Sequence, residues 1–160
     1  MTFPSPNELV TEFHETYGAP IASTANPSVD LPFNRTHLRY NLIAEEFVEL
    51  TEALYGAHAA REVSDEITIQ TTEAIVEHQE GYQSLPLDTV ETADALADLV
   101  YVIYGFALEA GIDLDAVLQE VQRSNMSKLD ENGKPIYRED GKVLKGPNFS
   151  EPNIRKVLFP

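Results

Sequence analysis

"LRYNLIAEEFVELTEAL", residues 38–54, is the stretch on which the reading of the fold turns. On a helix that advances about 100° per residue, Leu50, Ile43, Leu54 and Phe47 gather within an arc of about 60°. That arc is the one expected to be buried. Glu46 falls between Leu42 and Leu50, and Glu49 falls beside Leu42. Glu45 lies further toward the polar side. The periodicity therefore predicts a helix over 36–55, with Glu46 and Glu49 at the edge of the core or inside it.

A second stretch repeats the anomaly. Residues 87–110 contain "ALADLVYVIYGFALEA", the most apolar segment of the chain. Its apolar residues run almost all the way round a helix, so the helix is expected to be central. One narrow sector is acidic, made of Glu91, Asp94 and Asp98. Ionised carboxylates turned away from water are costly unless something compensates them. Protonation relieves part of that cost. Basic partners are scarce, because the first 122 residues contain only Arg35, Arg39 and Arg61. A divalent cation fits the supply better. Oxygen ligands without cysteine select hard ions, chiefly Mg²⁺, with Mn²⁺ possible. The competing reading is a plain solvated helix face.

Outward from these two segments the chain reads as helices joined by short loops. Ser5, Pro6 and Glu8 form an N-cap, a first-turn proline and a capping box for a first helix, which Gly18 and Pro20 end. A loop with three prolines covers 19–34. Residues 62–80 are ambiguous, with Ser64 as a possible cap but many β-branched residues. "GYQSLPLD", residues 81–88, reads as a loop. Gly111 and Asp113 mark a tight junction into a further helix over 114–125. Asp140-Gly141 then suggests a hairpin turn between two short apolar stretches. The remainder is expected to be extended or irregular. The fold class is thus all-α, a four-helix-bundle core with a small C-terminal hairpin or extended appendage over 126–160, in one domain spanning 1–160.

Composition narrows the function. The chain has 160 residues, is 42% hydrophobic and 24% charged, and carries a net charge of −16. Residues 123–160 are net positive, at +3, whereas residues 1–122 carry −19. So acidic a body should repel a nucleic-acid polymer. It would admit a small phosphate ligand only through mediating cations, unless the acidity serves solubility alone. There is no cysteine, which excludes disulfides and thiolate metal sites. No long apolar run suggests a membrane span and no signal peptide is evident, so a cytoplasmic location is expected. His14, His37, His58 and His78 have no spacing suited to a metal, and the Glu-x-x-His signature of di-iron bundles is missing. Neither a P-loop nor a GxGxxG motif occurs.

At these residues the sequence resembles the MazG-like, all-α nucleoside triphosphate pyrophosphohydrolases. "EEFVE" (Glu45, Glu46, Glu49) is similar to their EExxE element, and "ETAD" (Glu91 to Asp94) to their ExxD element. "DALADLVYVIYG" with "RSNMSKLDENGKPIYREDGKVLKGPNF" resembles the phosphoribosyl-ATP pyrophosphohydrolase-like branch. The resemblance covers about residues 8–155. It implies a four-helix core that forms a homodimer, sometimes a tetramer. It implies that Glu46, Glu49, Glu91 and Asp94 ligate Mg²⁺ and that Glu45 orients or deprotonates the attacking water. The implied reaction converts a nucleoside triphosphate, such as dUTP or a non-standard nucleotide, to the monophosphate and pyrophosphate. Alternatives are phosphoribosyl-ATP hydrolysis, a non-catalytic nucleotide or metal sensor of the same fold, and a purely structural helical dimer.

Two features depart from the pattern. Residues 60–86 look like an insertion between the acidic elements. Asp98 adds a carboxylate one turn beyond Asp94, as an auxiliary ligand or a residue supporting the ligands; an alternative alignment makes it a direct ligand but places Ala95 where a glutamate is expected. Further cations would stabilise charge on the transferring phosphate. Arg123, Asn125, Lys128, Lys142 and Lys145 are the candidates for substrate contact. Tyr101 and Tyr104 are placed either to stack on a base or in the core or dimer interface.

Overall fold

The computed structural model describes residues 4–25, 27–79, 87–138 and 141–160. Among the described residues the chain is all-helical, as its periodicity implies. The helices are α1 (Pro6–Thr16), α2 (Phe33–Tyr55), α3 (Ala57–Gln79), α4 (Thr89–Glu109), α5 (Leu114–Met126) and a short α6 (Ile154–Leu158). The chain divides into two compact units, residues 28–92 and residues 1–27 with 93–160. Most of the expected loop over 81–88 lies outside the described residues. No single described helix is long and apolar enough to cross a membrane.

The 28–92 unit is built on α2 and α3, which pack against each other. One residue, Gly56, joins them. Its φ of +88° lies in the left-handed region that suits glycine. Its N–H donates to the Glu52 carbonyl at 2.8 Å, and its own carbonyl accepts from Ala60 at 3.2 Å. The β-branched 62–80 stretch is helical. A stripe of Ala60, Val63, Ser64, Ile67, Thr71 and Ala74 is buried or half-buried at helical spacing. On α2 the sheltered side is Ala44, Val48 and Thr51. The buried Thr51 hydroxyl is satisfied by the Phe47 carbonyl at 2.9 Å.

That arrangement corrects one expectation. The arc of Ile43, Phe47, Leu50 and Leu54 is 40–53% exposed in the single chain. α2 has two apolar sides, and α3 packs on the one with smaller residues, where helix axes can approach closely.

In the other unit, α1 packs on α5, and α5 on α6. The capping box at Ser5 and Glu8 forms as expected. Tyr17, 1% exposed, anchors this unit. Its ring lies 4.4 Å from that of Phe13, and its hydroxyl donates to the Asn125 carbonyl at 2.7 Å. Tyr137 in turn donates to the Tyr17 carbonyl at 2.6 Å. The junction between α4 and α5 also follows the sequence. Gly111 has φ +69°, and the Asp113 carboxylate caps α5 by accepting from the Ala116 N–H at 3.1 Å.

The expectation that α4 is central does not hold within the single chain. Leu96, Leu99, Val100, Val102, Ile103 and Phe106 are 43–60% exposed, and only Ala107 on this helix is buried. Among the described residues α4 has no extensive contact with another helix. Its apolar surface is therefore left open within the unit that holds most of the helix.

The C-terminal appendage forms the expected hairpin in miniature. Tyr137 and Val143 make one antiparallel bridge, and Arg138 donates to the Lys142 carbonyl at 2.8 Å. Asp140, half of the expected turn, lies outside the described residues. The end of the tail was expected to be extended or irregular. It carries α6 instead, capped by the Asn153 side chain, which accepts from the Lys156 N–H at 3.1 Å.

Candidate functional site

Glu45, Glu46 and Glu49 occupy the middle of α2, and all three are exposed rather than drawn into the core. The packing of α3 accounts for this, because it shelters a side of α2 adjoining these glutamates. Glu46 stands on the open arc with Ile43 and Leu50. Glu45 and Glu49, one turn apart, line a groove of about 460 Å³ between α2 and α3. His37, Asn41, Ala44 and Val48 complete the α2 wall. Ser64, Ile67, Thr68, Thr71 and Thr72 form the α3 wall. The Asn41 amide nitrogen lies 3.0 Å from His37 Nε2.

Glu91 lies in the first turn of α4, where the helix dipole favours negative charge. Asp88 sets this turn by accepting from the Val90 and Glu91 N–H groups at 2.9 and 3.1 Å. The sequence signal for that cap was present in "DTVE", an aspartate followed three residues later by a glutamate. The Val29 N–H also donates to the Thr89 hydroxyl, at 3.2 Å, so the loop before α2 is tied to the start of α4. Asp94 and Asp98 follow along α4 and are exposed. By chain position Glu91 belongs to the 28–92 unit, and Asp94 and Asp98 to the other.

The donor type of these faces suits a hard divalent cation, since every candidate ligand is a carboxylate oxygen. Among the described residues, no group of three or more histidine, aspartate or glutamate side chains is gathered for a metal ion. α2 offers Glu46 and Glu49, and α4 offers Glu91 and Asp94.

The basic candidates are already engaged in part. Arg123 donates from Nε and Nη2 to the two Glu120 oxygens, at 2.9 and 2.8 Å. It also donates to the Ser150 hydroxyl at 3.1 Å and the Glu151 carbonyl at 2.8 Å. It thereby fastens the tail to α5. The Asn125 carbonyl serves Tyr17. The Lys128 carbonyl accepts from the Gly146 N–H at 3.0 Å. The Lys145 ammonium lies 4.3 Å from the Phe149 ring centroid and 3.2 Å from Glu151. Lys142 stands in the hairpin. Tyr101 is 80% exposed, whereas the Tyr104 hydroxyl donates to Asp115 at 2.8 Å. That bond, with some burial, raises the Tyr104 pKa.

Residues 10–125 match the phosphoribosyl-ATP pyrophosphohydrolase family. This span holds the EExxE and ExxD elements and most of the helical chain. The chain belongs to the phosphoribosyl-ATP pyrophosphohydrolase family. It is accordingly an enzyme of the pyrophosphohydrolase class. No curated protein matches it. Its fold is similar to the crystal structure of a protein from Exiguobacterium sp. 255-15, provisionally assigned as an NTP pyrophosphohydrolase. The two are 27% identical, with a TM-score of 0.64, over 98% of this chain and 94% of that one. The family match ends at residue 125, so Lys128, Lys142 and Lys145 lie beyond it. The likeness to the solved structure extends through nearly all of the tail.

The groove between α2 and α3 carries no motif in the sequence. His37, Asn41 and the α3 hydroxyls were not singled out as site residues. Their signal was the column Ser64, Thr68, Thr71 and Thr72 at helical spacing, legible only once 57–79 is known to be a helix packed on α2.

Proposed function

We propose that this pyrophosphohydrolase cleaves a nucleoside triphosphate, such as dUTP or a non-standard deoxynucleotide, into the monophosphate and pyrophosphate. It would work in the cytoplasm, as a housecleaning enzyme of the nucleotide pool. The observation that carries the reading is the opening of Glu45 and Glu49 onto the α2/α3 groove, within the part of the chain that matches this family. Glu46, Glu49, Glu91 and Asp94 would hold Mg²⁺, with Asp98 in support. When bound, Mg²⁺ screens the phosphates and lowers the pKa of water. Glu45 then orients the attacking water and takes its proton. The water oxygen forms the new bond to phosphorus, and the oxygen between the α and β phosphates leaves with pyrophosphate. Asn125, Lys128, Lys142 and Lys145 contact phosphate or base, with Arg123 holding their segment in place. Tyr101 is free to stack on a base. Two copies of the chain would cover the open apolar surface of α4, a homodimer that pairing could extend to a tetramer.

The test is a panel of nucleoside triphosphates assayed for pyrophosphate release with Mg²⁺. Turnover of at least one is expected. Glu49→Gln and Glu91→Gln should each lower it by at least about a hundredfold while the fold persists, as befits groups acting through the transition state. Mg²⁺ should raise the melting temperature of the unaltered protein and not that of these variants. Nucleotide binding without pyrophosphate release would sink the reading. The family's own description favours a second substrate, phosphoribosyl-ATP. Including that compound in the panel separates the two.

A further inference from the structure

We infer that the groove between α2 and α3 is the seat of the nucleoside, and that Asn41, Ser64, Thr68 and Thr72 position it. The inference deepens the proposed reaction and rests on it for the identity of the ligand.

The lining of the groove excludes one part of a nucleotide and suits another. It contains no lysine or arginine, and Glu45 and Glu49 stand in its wall. A triphosphate would meet the charge of these two carboxylates there. Beside them and His37 the lining is uncharged and mixed. Ala44, Val48 and Ile67 give apolar surface for the face of a ring. Ser64, Thr68 and Thr72 give hydroxyls that make no hydrogen bond among the described residues. Thr71 differs, because its hydroxyl is already bonded to the Ile67 carbonyl at 2.8 Å. Asn41 Oδ1 also lacks a partner among the described residues, and its amide nitrogen meets only His37. An amide presenting an acceptor beside a donor matches the hydrogen-bonding edge of a base. Hydroxyls opposite it match a sugar or an exocyclic group.

The volume, about 460 Å³, falls within the range of small-molecule sites. The position is equally telling. Glu45 and Glu49 lie one turn beyond Asn41 and two turns beyond it along α2. A nucleoside in the groove would place its 5′ end beside Glu45, the proposed base, and Glu49, one of the proposed cation ligands. α3 supplies the whole opposite wall, so the apparent insertion at 60–86 would have a binding task. Its length is what brings Thr68 and Thr72 alongside Asn41.

The test measures equilibrium binding of nucleoside monophosphates and of inorganic pyrophosphate to the full chain with Mg²⁺, by calorimetry. Thr68→Tyr fills the groove from an exposed position. Ser64→Ala with Thr72→Val removes hydroxyls without adding bulk. Melting curves show that each variant folds. Thr68→Tyr should weaken monophosphate binding by about tenfold or more and leave pyrophosphate binding within about twofold. The hydroxyl variant should lose about twenty-fivefold, the worth of two ordinary hydrogen bonds. Failure of the unaltered protein to bind any monophosphate would overturn the inference. So would equal loss of monophosphate and pyrophosphate binding in Thr68→Tyr, or no loss of either. Monophosphate binding sensitive to Thr68→Tyr, in a protein that hydrolyses no triphosphate, would sink the catalytic reading and leave the seat intact. Triphosphate turnover whose KM is untouched by Thr68→Tyr would sink the seat alone.

Discussion

Arg123 and Glu120 face each other through two parallel N–H···O bonds, Nε to Oε2 at 2.9 Å and Nη2 to Oε1 at 2.8 Å. Glu120 also accepts from the Asn153 N–H at 2.6 Å, at the start of α6. These bonds, Arg123 first, hold the Glu120 pKa at about 2, below its ordinary 4.5. The sign follows from the depression. The contribution is fully present above about pH 4.5 and is lost as the pH falls through about 2. Acidification from about pH 4.5 to below about pH 2 should therefore loosen the segment 150–158 against α5. Hydrogen exchange at the Lys156 and Phe159 amides would report it. Glu120→Gln should loosen the same amides at neutral pH and flatten the dependence.

Gly146 has no room for a side chain. A Cβ there would overlap the Leu129 carbonyl oxygen and stand 2.6 Å from its carbon and 2.8 Å from the Lys128 oxygen. All three are backbone atoms, so no flexible side chain can swing aside. Gly146→Ala should cost about 1–3 kcal/mol in chemical unfolding, the usual toll of overpacking. It should also break the bond from Gly146 to the Lys128 carbonyl and displace Lys145.

Tyr17→Phe keeps the buried ring and removes one hydroxyl. The Asn125 carbonyl would lose its donor in a sheltered place. A loss of about 1–2 kcal/mol is expected in urea unfolding. Tyr137 should still reach the Tyr17 carbonyl, so the hairpin should remain docked.

The apolar surface of α4 makes a prediction about assembly. Light scattering at micromolar concentration should give the mass of at least two chains. Val102→Asp puts a charge on that surface and should yield a monomer with reduced thermal stability. A monomer from the unaltered chain would remove the case for a shared interface.

Local signals read well from the sequence because they are short-range physics. Ser5 with Glu8 and Gly111 with Asp113 fixed helix ends as expected. The acidic elements on α2 and α4 are legible as spacings, but their expected place at the core edge is not, since the carboxylates are exposed in the single chain. Periodicity cannot say which partner covers an apolar arc, however. Phe47 and Leu50 looked like core, yet Ala44 and Val48 are the residues sheltered beside α3. The β-branched residues of 62–80 masked a helix whose burial came from tertiary packing. α6 is too short for any periodic signal, and its cap at Asn153 depends on a bond to α5 that only folding creates. The groove was illegible for the same reason, since Asn41 and Thr68 meet only across two helices.

Gly56 leaves almost no slack between two helices of 23 residues each. The angular phase of one helix is thereby coupled to that of the other. An added or deleted residue at this point would turn the threonines of α3 by about 100° relative to Asn41. Variation in chain length among relatives should thus avoid this junction, and the facing of Asn41 and the α3 threonines should change by side-chain exchange and not by indels at Gly56.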